Sequence, residues 1–305
     1  MRFQDLTALA AVLTPAVVSQ TLPPYNFTIP PMLRFQCSQL VIDRIDPLVN
    51  PSLIPSPHLH QIVGGNSFNA SLSHDLPSQS TCTSCTFSED FSNYWTAVLY
   101  FRARNGTYKR VPQFESEGLR GNGGITVYYI PDAFNKTSVT AFKPGFRMLA
   151  GDAASNTPVP SARKVCHRCM PKGADAVTIN CGTPDSQEFP TKPCGGGIRS
   201  VITFPTCWNG VDLDSPDHKS HLAYTVQQDR NDVGPTGKCP EGFPVVVPQV
   251  MYEVMWDVSR SFSILENGDK TNSCHRQHRS TTPSFGLKMV RSHLFGARVI
   301  SESLH

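Results

Sequence analysis

Charge is scarce in this chain of 305 residues, and several familiar catalytic signatures are missing. Charged residues make up 17% of the sequence and the net charge is only +3, so no nucleic-acid partner is predicted. No segment reaches 18 consecutive apolar residues, so no membrane span is predicted. Gly-x-Ser-x-Gly, His-Glu-x-x-His and a phosphate loop ending in Gly-Lys-Ser/Thr are all absent, which argues against the serine-hydrolase, metalloprotease and nucleotide-binding classes that they mark.

Helical periodicity is equally scarce, and the 26 prolines favour loops and strands over long helices. Runs of β-branched and aromatic residues are frequent instead, and Asn105-Gly106 between two of them predicts a tight hairpin. The fold class predicted is mostly β, as a β-sandwich or jelly-roll-like single domain with long disulfide-stapled loops. Strands are predicted at residues 39–45, 94–102, 107–111, 124–130, 146–150, 199–204 and 245–258.

The N-terminus has the pattern of a secretory signal peptide. Arg2 precedes an apolar run at residues 6–18 that is too short to span a bilayer, and small or aliphatic residues give a cleavage point after Ser19 or nearby. We therefore predict a secreted, extracellular protein. The predicted segments are a signal peptide at 1–19, an N-terminal arm at 20–34, a β-rich domain at 35–260 and a basic tail at 261–305.

The ten cysteines fit the same compartment, because an even number in an exported protein predicts a disulfide framework. Cys82-x-x-Cys85 and Cys166-x-x-Cys169 also suggest a zinc-thiolate or redox site. Residues 86 to 165, 80 in all, separate the two pairs, which is far beyond the usual zinc-ribbon spacing. The sequence does not determine the pairing of Cys37, Cys82, Cys85, Cys166, Cys169, Cys181, Cys194, Cys207, Cys239 and Cys274.

The densest group of chemically active side chains lies at residues 213–224. A histidine held by an aspartate is poised near neutral pH, and such groups suit general acid–base catalysis. The alternative is a polar loop whose Asp and His side chains cap turns. The predicted catalytic residues are Asp214, Asp217, His218, His221 and Tyr224.

A second group, His58-x-His60, follows a proline-punctuated loop. Alternate residues of a strand face the same side, so both rings could converge on one ion. His218 and His221 would likewise share one face of a helical turn. The cofactor is unknown, and a divalent metal ion is one hypothesis. Its predicted ligands are His58, His60, His218 and His221.

Many further stretches follow the pattern of one family. They include Arg44-Ile-Asp46-Pro47, His58-Leu-His60, Gly64-Gly65-Asn66, Asn93-Tyr94-Trp95-Thr96, Leu99-Tyr100-Phe101-Arg102, Asn105-Gly106, residues 146–152, 194–199, 204–208 and 213–218, Ser220-His221, Ala223-Tyr224, Cys239-Pro240, Pro248-Gln249 and Tyr252-Glu253. Together they resemble the fungal secreted domain of unknown function numbered nineteen-ninety-six, over about residues 35–260. The resemblance implies a secreted protein of filamentous fungi related to cell wall or polysaccharide, sometimes fused to a WSC module. It implies no named catalytic residue.

The chain departs from this family pattern in two places. Phe243 stands where related domains usually have a histidine before proline. After about residue 260, related chains continue with a Gly-Tyr-Gly-x-His type segment, whereas residues 261–305 are basic and resemble nothing in the family. We expect this tail to be either divergent or mis-spliced, and a site that needs the missing histidine would be inactive.

The predicted function is action on extracellular or cell-wall polysaccharide through the His/Asp site. A lyase would need His or Tyr224 to abstract a proton and a cation to neutralise a uronate, whereas a hydrolase would need two carboxylates beside the bond. A non-catalytic cell-wall or glycan-binding protein, with aromatic side chains stacked on sugars, is one alternative. An inactive relative is the other.

Four sequons at Asn26, Asn69, Asn105 and Asn135 predict a glycoprotein. Secretion from a eukaryotic host should give a protein whose mass falls on treatment with peptide-N-glycosidase, with Asn converted to Asp at each occupied sequon. Replacing all four with Gln should abolish that fall. An unchanged mass after treatment of the secreted wild-type protein would contradict the prediction.

Overall fold

The computed structural model describes residues 32–71, 76–102, 105–114, 123–131, 138–151, 165–173, 181, 185–191, 193–226, 237–258, 287–289 and 295–298. The predicted signal peptide and Asn26, Asn135 and Cys274 lie outside these residues. No helix among the described residues is long and apolar enough to cross a membrane.

The architecture is mostly β, as predicted: strands hold 39% of the described residues and helix 2%. The single short helix of the described residues, α1, spans Leu76–Gln79. The strands are β1 (Leu33–Ser38), β2 (Val41–Asp43), β3 (His60–Gly64), β4 (Asn93–Ala97), β5 (Leu99–Arg102), β6 (Tyr108–Arg110), β7 (Gly124–Ile130), β8 (Arg147–Ala150), β9 (Val165–Cys169), β10 (Ile198–Thr203), β11 (Cys207–Trp208), β12 (Leu222–Ala223), β13 (Val245–Val246), β14 (Gln249–Trp256), β15 (Leu287–Met289) and β16 (Phe295–Arg298).

Two five-stranded antiparallel sheets form the body of the fold. Sheet A has the strand order β1-β7-β14-β10-β9, and sheet B has the order β2-β3-β4-β16-β8. Two three-stranded sheets, β12-β11-β13 and β15-β5-β6, complete the structure. Apolar side chains of sheets A and B belong to one buried cluster, which makes the arrangement a sandwich.

A buried hydrogen-bond chain joins the two sheets through this core. The hydroxyl of Tyr94 on sheet B donates to Asp90 over 2.6 Å and lies 2.7 Å from the hydroxyl of Tyr129 on sheet A. The Tyr94 ring also meets the edge of Tyr252 at a centroid distance of 5.7 Å. Burial raises the pKa of Asp90, because a charge is disfavoured where water is excluded.

Sheet B is buried on both faces, and alternation along β3 assigns each residue to one of them. Val63 points inward to the core that it shares with Tyr94. Ile62 points outward and packs with Trp95, Leu48 and Leu149 in a separate apolar cluster. Loops therefore have to cover the outer face of sheet B.

Most predicted strands are confirmed, with three differences. The strand predicted at 245–258 is divided after Val246 into β13 and β14, which belong to different sheets. The strand predicted at 94–102 is divided at Val98 into β4 and β5, which belong to different sheets. The strand predicted at 39–45 is confined to β2. The Asn105-Gly106 hairpin is confirmed, since β5 pairs with β6 and Gly106 has a φ of 85°.

The predicted tail contributes two strands to the sheets. β15 pairs with β5. β16 lies between β4 and β8, with Gly296 opposite both Trp95 and Leu149. Backbone pairing therefore makes residues 295–298 an interior strand of sheet B.

Four disulfides confirm the predicted framework. They are Cys37–Cys85, Cys166–Cys181, Cys169–Cys194 and Cys207–Cys239. Neither Cys-x-x-Cys pair is closed on itself, and Cys82 is exposed with a free thiol. The zinc-thiolate and redox alternatives are therefore not supported, because Cys85, Cys166 and Cys169 are each bonded to a cysteine outside their own pair.

Removing the Cys37–Cys85 bridge should lower stability substantially. The bridge closes 48 residues, for which loop-closure entropy gives about 4 kcal/mol. We expect the double variant Cys37→Ala/Cys85→Ala to lose about 2–4 kcal/mol of unfolding free energy in a denaturant titration. The control Cys82→Ser should stay within about 0.5 kcal/mol of wild type, because it changes an exposed side chain. Equal stability of the two variants would contradict the assignment.

Candidate functional site

The first predicted cluster forms a loop that covers sheet B. We call residues 213–221 the cap loop. Its Leu213 carbonyl accepts the Arg147 backbone N–H over 3.0 Å, and its His218 carbonyl accepts the Leu149 N–H over 2.9 Å. The cap loop thus pairs with the free edge of β8, and from there the His218 ring reaches the carbonyl of Leu48, a residue of the apolar cluster on the outer face of sheet B.

A tight turn shapes the cap loop, and no helix forms there. The backbone N–H of His218 donates to the Ser215 carbonyl over 2.8 Å. Asp217 closes the turn by accepting the N–H groups of Lys219 and Ser220 over 3.1 and 2.9 Å. His218 itself has a φ of 56°, a left-handed conformation that non-glycine residues seldom adopt. The condition under which His218 and His221 would share a face, one helical turn, is therefore not met.

His218 is held as an imidazolium. Its Nδ1 lies 2.6 Å from Asp214 Oδ1 and its Nε2 lies 3.2 Å from the Leu48 carbonyl oxygen. Both partners are acceptors, so both ring nitrogens have to donate. The hydrogen bond to Asp214 raises the pKa of His218 above 6.5, against the opposing effect of burial.

Asp214 is held as a carboxylate by the same pair. Burial alone would raise its pKa, but the hydrogen bond and charge of His218, together with the Ser215 backbone N–H and the Arg147 charge, lower the pKa below 3.8. Arg147 Nη1 adds a cation 3.5 Å from Asp214 Oδ2. The stabilisation from His218 is therefore lost as pH rises through its raised pKa, and that from Asp214 as pH falls through its lowered pKa.

His221 has the opposite character. Its Nε2 donates to the Arg147 carbonyl over 2.8 Å, and its Nδ1 lies 2.8 Å from Ser215 Oγ. Burial lowers the pKa of His221, which favours the neutral ring. One loop thus holds a charged histidine beside a neutral one.

Asp217 and Tyr224 have partners of their own. The backbone N–H of Ser220 is the main cause that lowers the pKa of exposed Asp217, which keeps this carboxylate ionised. The Tyr224 hydroxyl donates to the Thr203 carbonyl over 2.8 Å, and burial raises its pKa. Neither residue is hydrogen-bonded to His218 in the described structure.

The second predicted cluster lies beside the cap loop. Asp46 Oδ1 accepts the backbone N–H groups of Leu48 and Val49 over 3.2 and 3.0 Å, and the Leu48 carbonyl faces His218. His60 Nδ1 donates to the Ile45 carbonyl over 2.8 Å. The two clusters therefore meet through backbone groups.

Several polar atoms in and around the second cluster are enclosed without a hydrogen-bond partner. They are Asp46 Oδ2, His58 Nδ1, His60 Nε2 and Trp95 Nε1. The rings of His58 and His60 stack at a centroid distance of 6.2 Å. Burial lowers the pKa of His60 despite its bond to Ile45, so this ring is neutral.

The predicted metal ligands do not form a chelating set. Among the residues that the structure describes, no three His, Cys, Asp or Glu side chains are placed to hold a metal ion. His218 and His221 also use both ring nitrogens on protein atoms. Neither ring therefore offers a lone pair to an ion.

Sequence reasoning missed Arg147 and the Leu48 carbonyl. Arg147 is separated from Asp214 by 67 positions, and Leu48 from His218 by 170. No local spacing links them. The strand predicted at 146–150 and the family motif at 146–152 both contain Arg147, but neither signal gave it a role in the site.

We expect His218 and His221 to titrate on opposite sides of 6.5 in a histidine NMR titration, with His218 above. Asp214→Asn should lower the pKa of His218, because it removes the anion that stabilises the imidazolium. Asp217→Asn is the matched control and should leave His218 unchanged. Similar effects of the two variants would contradict the pairing.

Comparison with known proteins gives a family but no described relative. No curated protein and no solved structure matches the chain. The family model described as "Domain of unknown function (DUF1996)" matches residues 46–286, a span that begins and ends later than the predicted domain at 35–260 and contains both clusters. The chain therefore belongs to the DUF1996 domain family, whose function is unknown.

Proposed function

We propose that the protein is secreted and acts on an extracellular polysaccharide, with His218 as the proton donor. Export is supported by the four disulfides, since such bonds persist in oxidising compartments. It is also supported by the predicted signal peptide. The polysaccharide substrate follows from the family resemblance of the sequence, and the chemistry follows from the cap loop.

The Asp214–His218 pair is the observation that carries the proposal. The pair is charge-assisted at 2.6 Å, yet the two side chains keep 23% and 18% of their surface exposed. His218 also adopts a left-handed backbone conformation, a strain that proteins tend to retain at functional positions. A strained, charged and accessible dyad, in a loop held to strand β8 by backbone hydrogen bonds, is a suitable acid–base group.

The protonation states decide which group is the acid. Asp214 and Asp217 both have lowered pKa values, so neither serves as the protonated carboxylic acid of a glycosidase. His218 has the raised pKa and would give its Nε2 proton to the leaving glycosidic oxygen. In hydrolysis a water molecule would form the new bond to the sugar carbon and release its proton to solvent, which returns a proton to His218. The substrate oxygen would replace the 3.2 Å contact with Leu48.

The neighbouring groups then have supporting roles. Arg147 places a cation beside Asp214 and would neutralise the carboxylate of an acidic sugar. Asp217 would hold the turn of the cap loop through the N–H groups of Lys219 and Ser220, and His221 would fix the backbone of Arg147 through its Nε2 bond. Tyr224 would contribute by holding the Thr203 carbonyl. A metal ion is not part of this proposal, since His218 and His221 are already engaged.

Binding without catalysis is the second candidate function. One observation favours it: all four ring nitrogens of His218 and His221 already have protein partners. On this reading the hydrogen bonds only dock the cap loop on sheet B. The protein would then retain a glycan and release no new chain ends.

His218→Asn is the sharpest test of the catalytic proposal. Asn tolerates the left-handed conformation and still hydrogen-bonds to Asp214, but it cannot transfer a proton. Wild type should release reducing or unsaturated ends from at least one polymer in a panel of wall glucan, chitin, pectin and alginate. The variant should lose about 100- to 10,000-fold of that rate with an unchanged circular dichroism spectrum.

Asp217→Asn serves as the matched control, because it removes an exposed charge from the same loop. It should lose much less activity than His218→Asn. Full activity of the His218→Asn variant would exclude His218 as the acid. Saturable binding of a polymer by wild type, with no chain ends formed from any member of the panel, would favour the second candidate function.

A further inference from the structure

A polar cleft opens at one end of the sandwich, away from the cap loop. Its volume is about 630 Å³, within the range of small-molecule sites of roughly 300–1,000 Å³. The loop after β1, strand β3, the segment after β6 and the end of β14 contribute to it. Its walls are formed by Gln39, Ile42, Gln61, Val98, Arg110, Val111, Pro112, Gln113, Phe114, Trp256 and Asp257.

A ladder of three glutamine amides forms one wall. Gln39 Nε2 donates to Gln61 Oε1 over 3.0 Å and to Gln113 Oε1 over 2.9 Å. Gln61 Nε2 donates onward to Thr96 Oγ1 over 2.8 Å. The Gly124 backbone N–H donates to Gln113 Oε1 over 2.8 Å, which fixes the orientation of that amide. The wall is rigid and preorganised.

The ladder retains hydrogen-bonding capacity for a ligand. Gln113 Nε2 is an enclosed donor with no acceptor in the described structure. Gln39 uses its amide nitrogen for both of its bonds, and its carbonyl oxygen accepts none from the described residues. Enclosed amides are normally paired, so an oxygen-rich ligand would supply the missing acceptor and a hydroxyl donor.

The remaining lining fits an uncharged ligand. Arg110 and Asp257 contribute one formal charge of each sign. Trp256 is buried, with its Nε1 donating to Ser200 Oγ over 3.0 Å, so it closes the back of the cleft, and the half-buried Phe114 supplies aromatic carbon to the lining. Amide donors and acceptors beside aromatic carbon match the hydroxyls and C–H faces of sugars.

We propose that this cleft is a binding site for a segment of neutral polysaccharide. The site is separate from the cap loop, because Gln61 and His60 are successive residues of β3 and point to opposite faces of sheet B. The proposal does not rest on the chemistry at His218. A protein with both sites would hold a neutral chain at the cleft, independently of what happens at the cap loop.

Calorimetric titration with neutral hexasaccharides, namely cello-, laminari- and chitohexaose, tests the site. At least one should bind wild type, whereas Gln39→Ala and Arg110→Ala should each weaken binding at least tenfold. Lys109→Ala is the matched control, since Lys109 is the exposed neighbour of Arg110 on β6 but does not line the cleft. It should bind as wild type does.

Two further measurements keep the result independent of folding and of the proposed catalysis. In wild type, the side-chain amide resonances of Gln39 and Gln113 should shift when the bound hexasaccharide is added. His218→Asn should bind it unchanged, even where it has lost activity. Hexagalacturonate is titrated in parallel as the acidic comparison. The proposal is overturned if no neutral hexasaccharide binds, if only hexagalacturonate binds, or if the cleft variants bind like wild type.

Discussion

The burial of strand β3 on both faces is the constraint on which the rest of the structure depends. Its five residues are all inaccessible, and the two-residue period of a strand sends neighbours to opposite sides. His60 and Ile62 therefore face the loops that cover sheet B, while Gln61 and Val63 face the sandwich interior and its open end. The two candidate sites therefore lie on opposite sides of β3, and each forms where other parts of the chain bury one face of this strand.

On the outer face of sheet B, an ion pair adds to the apolar packing that holds the covering loops. A small apolar cluster of four buried residues lies there, with Val41 and Phe68 packed against it. The imidazolium of His218 joins two loops, because it is hydrogen-bonded to Asp214 in the cap loop and to the Leu48 carbonyl in the loop before β3. The same charge that joins the loops is the one that chemistry would use, so stability and activity are coupled at this residue.

The sequence was most informative where a local signal was sufficient. Asn105-Gly106 marked a real hairpin, and residues 124–130 were predicted as the strand that the structure contains. Val98 was not recognised as a break, because β-branched and aromatic residues continue across it while the chain passes from one sheet to another. The sequence predicted that Asp214 and His218 belong to one chemically active cluster, but it did not predict the turn that brings their side chains together.

The missed features share a physical cause. Nothing in the residue type announces the left-handed backbone of His218, and nothing in local spacing links Asp214 to Arg147. The glutamines of the cleft were invisible for the same reason: Gln39 and Gln113 are 74 positions apart, and isolated glutamines resemble ordinary surface residues. Sites assembled from distant strands become apparent only once the register of the sheets is known.

The place of β16 in sheet B has a consequence for the order in which the protein is completed during synthesis. β4 and β8 leave the ribosome long before residues 295–298, yet each needs β16 as its neighbour. Until then two strand edges carry open backbone groups, which can pair with other chains. Sheet B is therefore completed only when the last strand has been synthesised. A nascent chain that is halted before β16 exposes the unpaired edges of β4 and β8, which can aggregate with other chains.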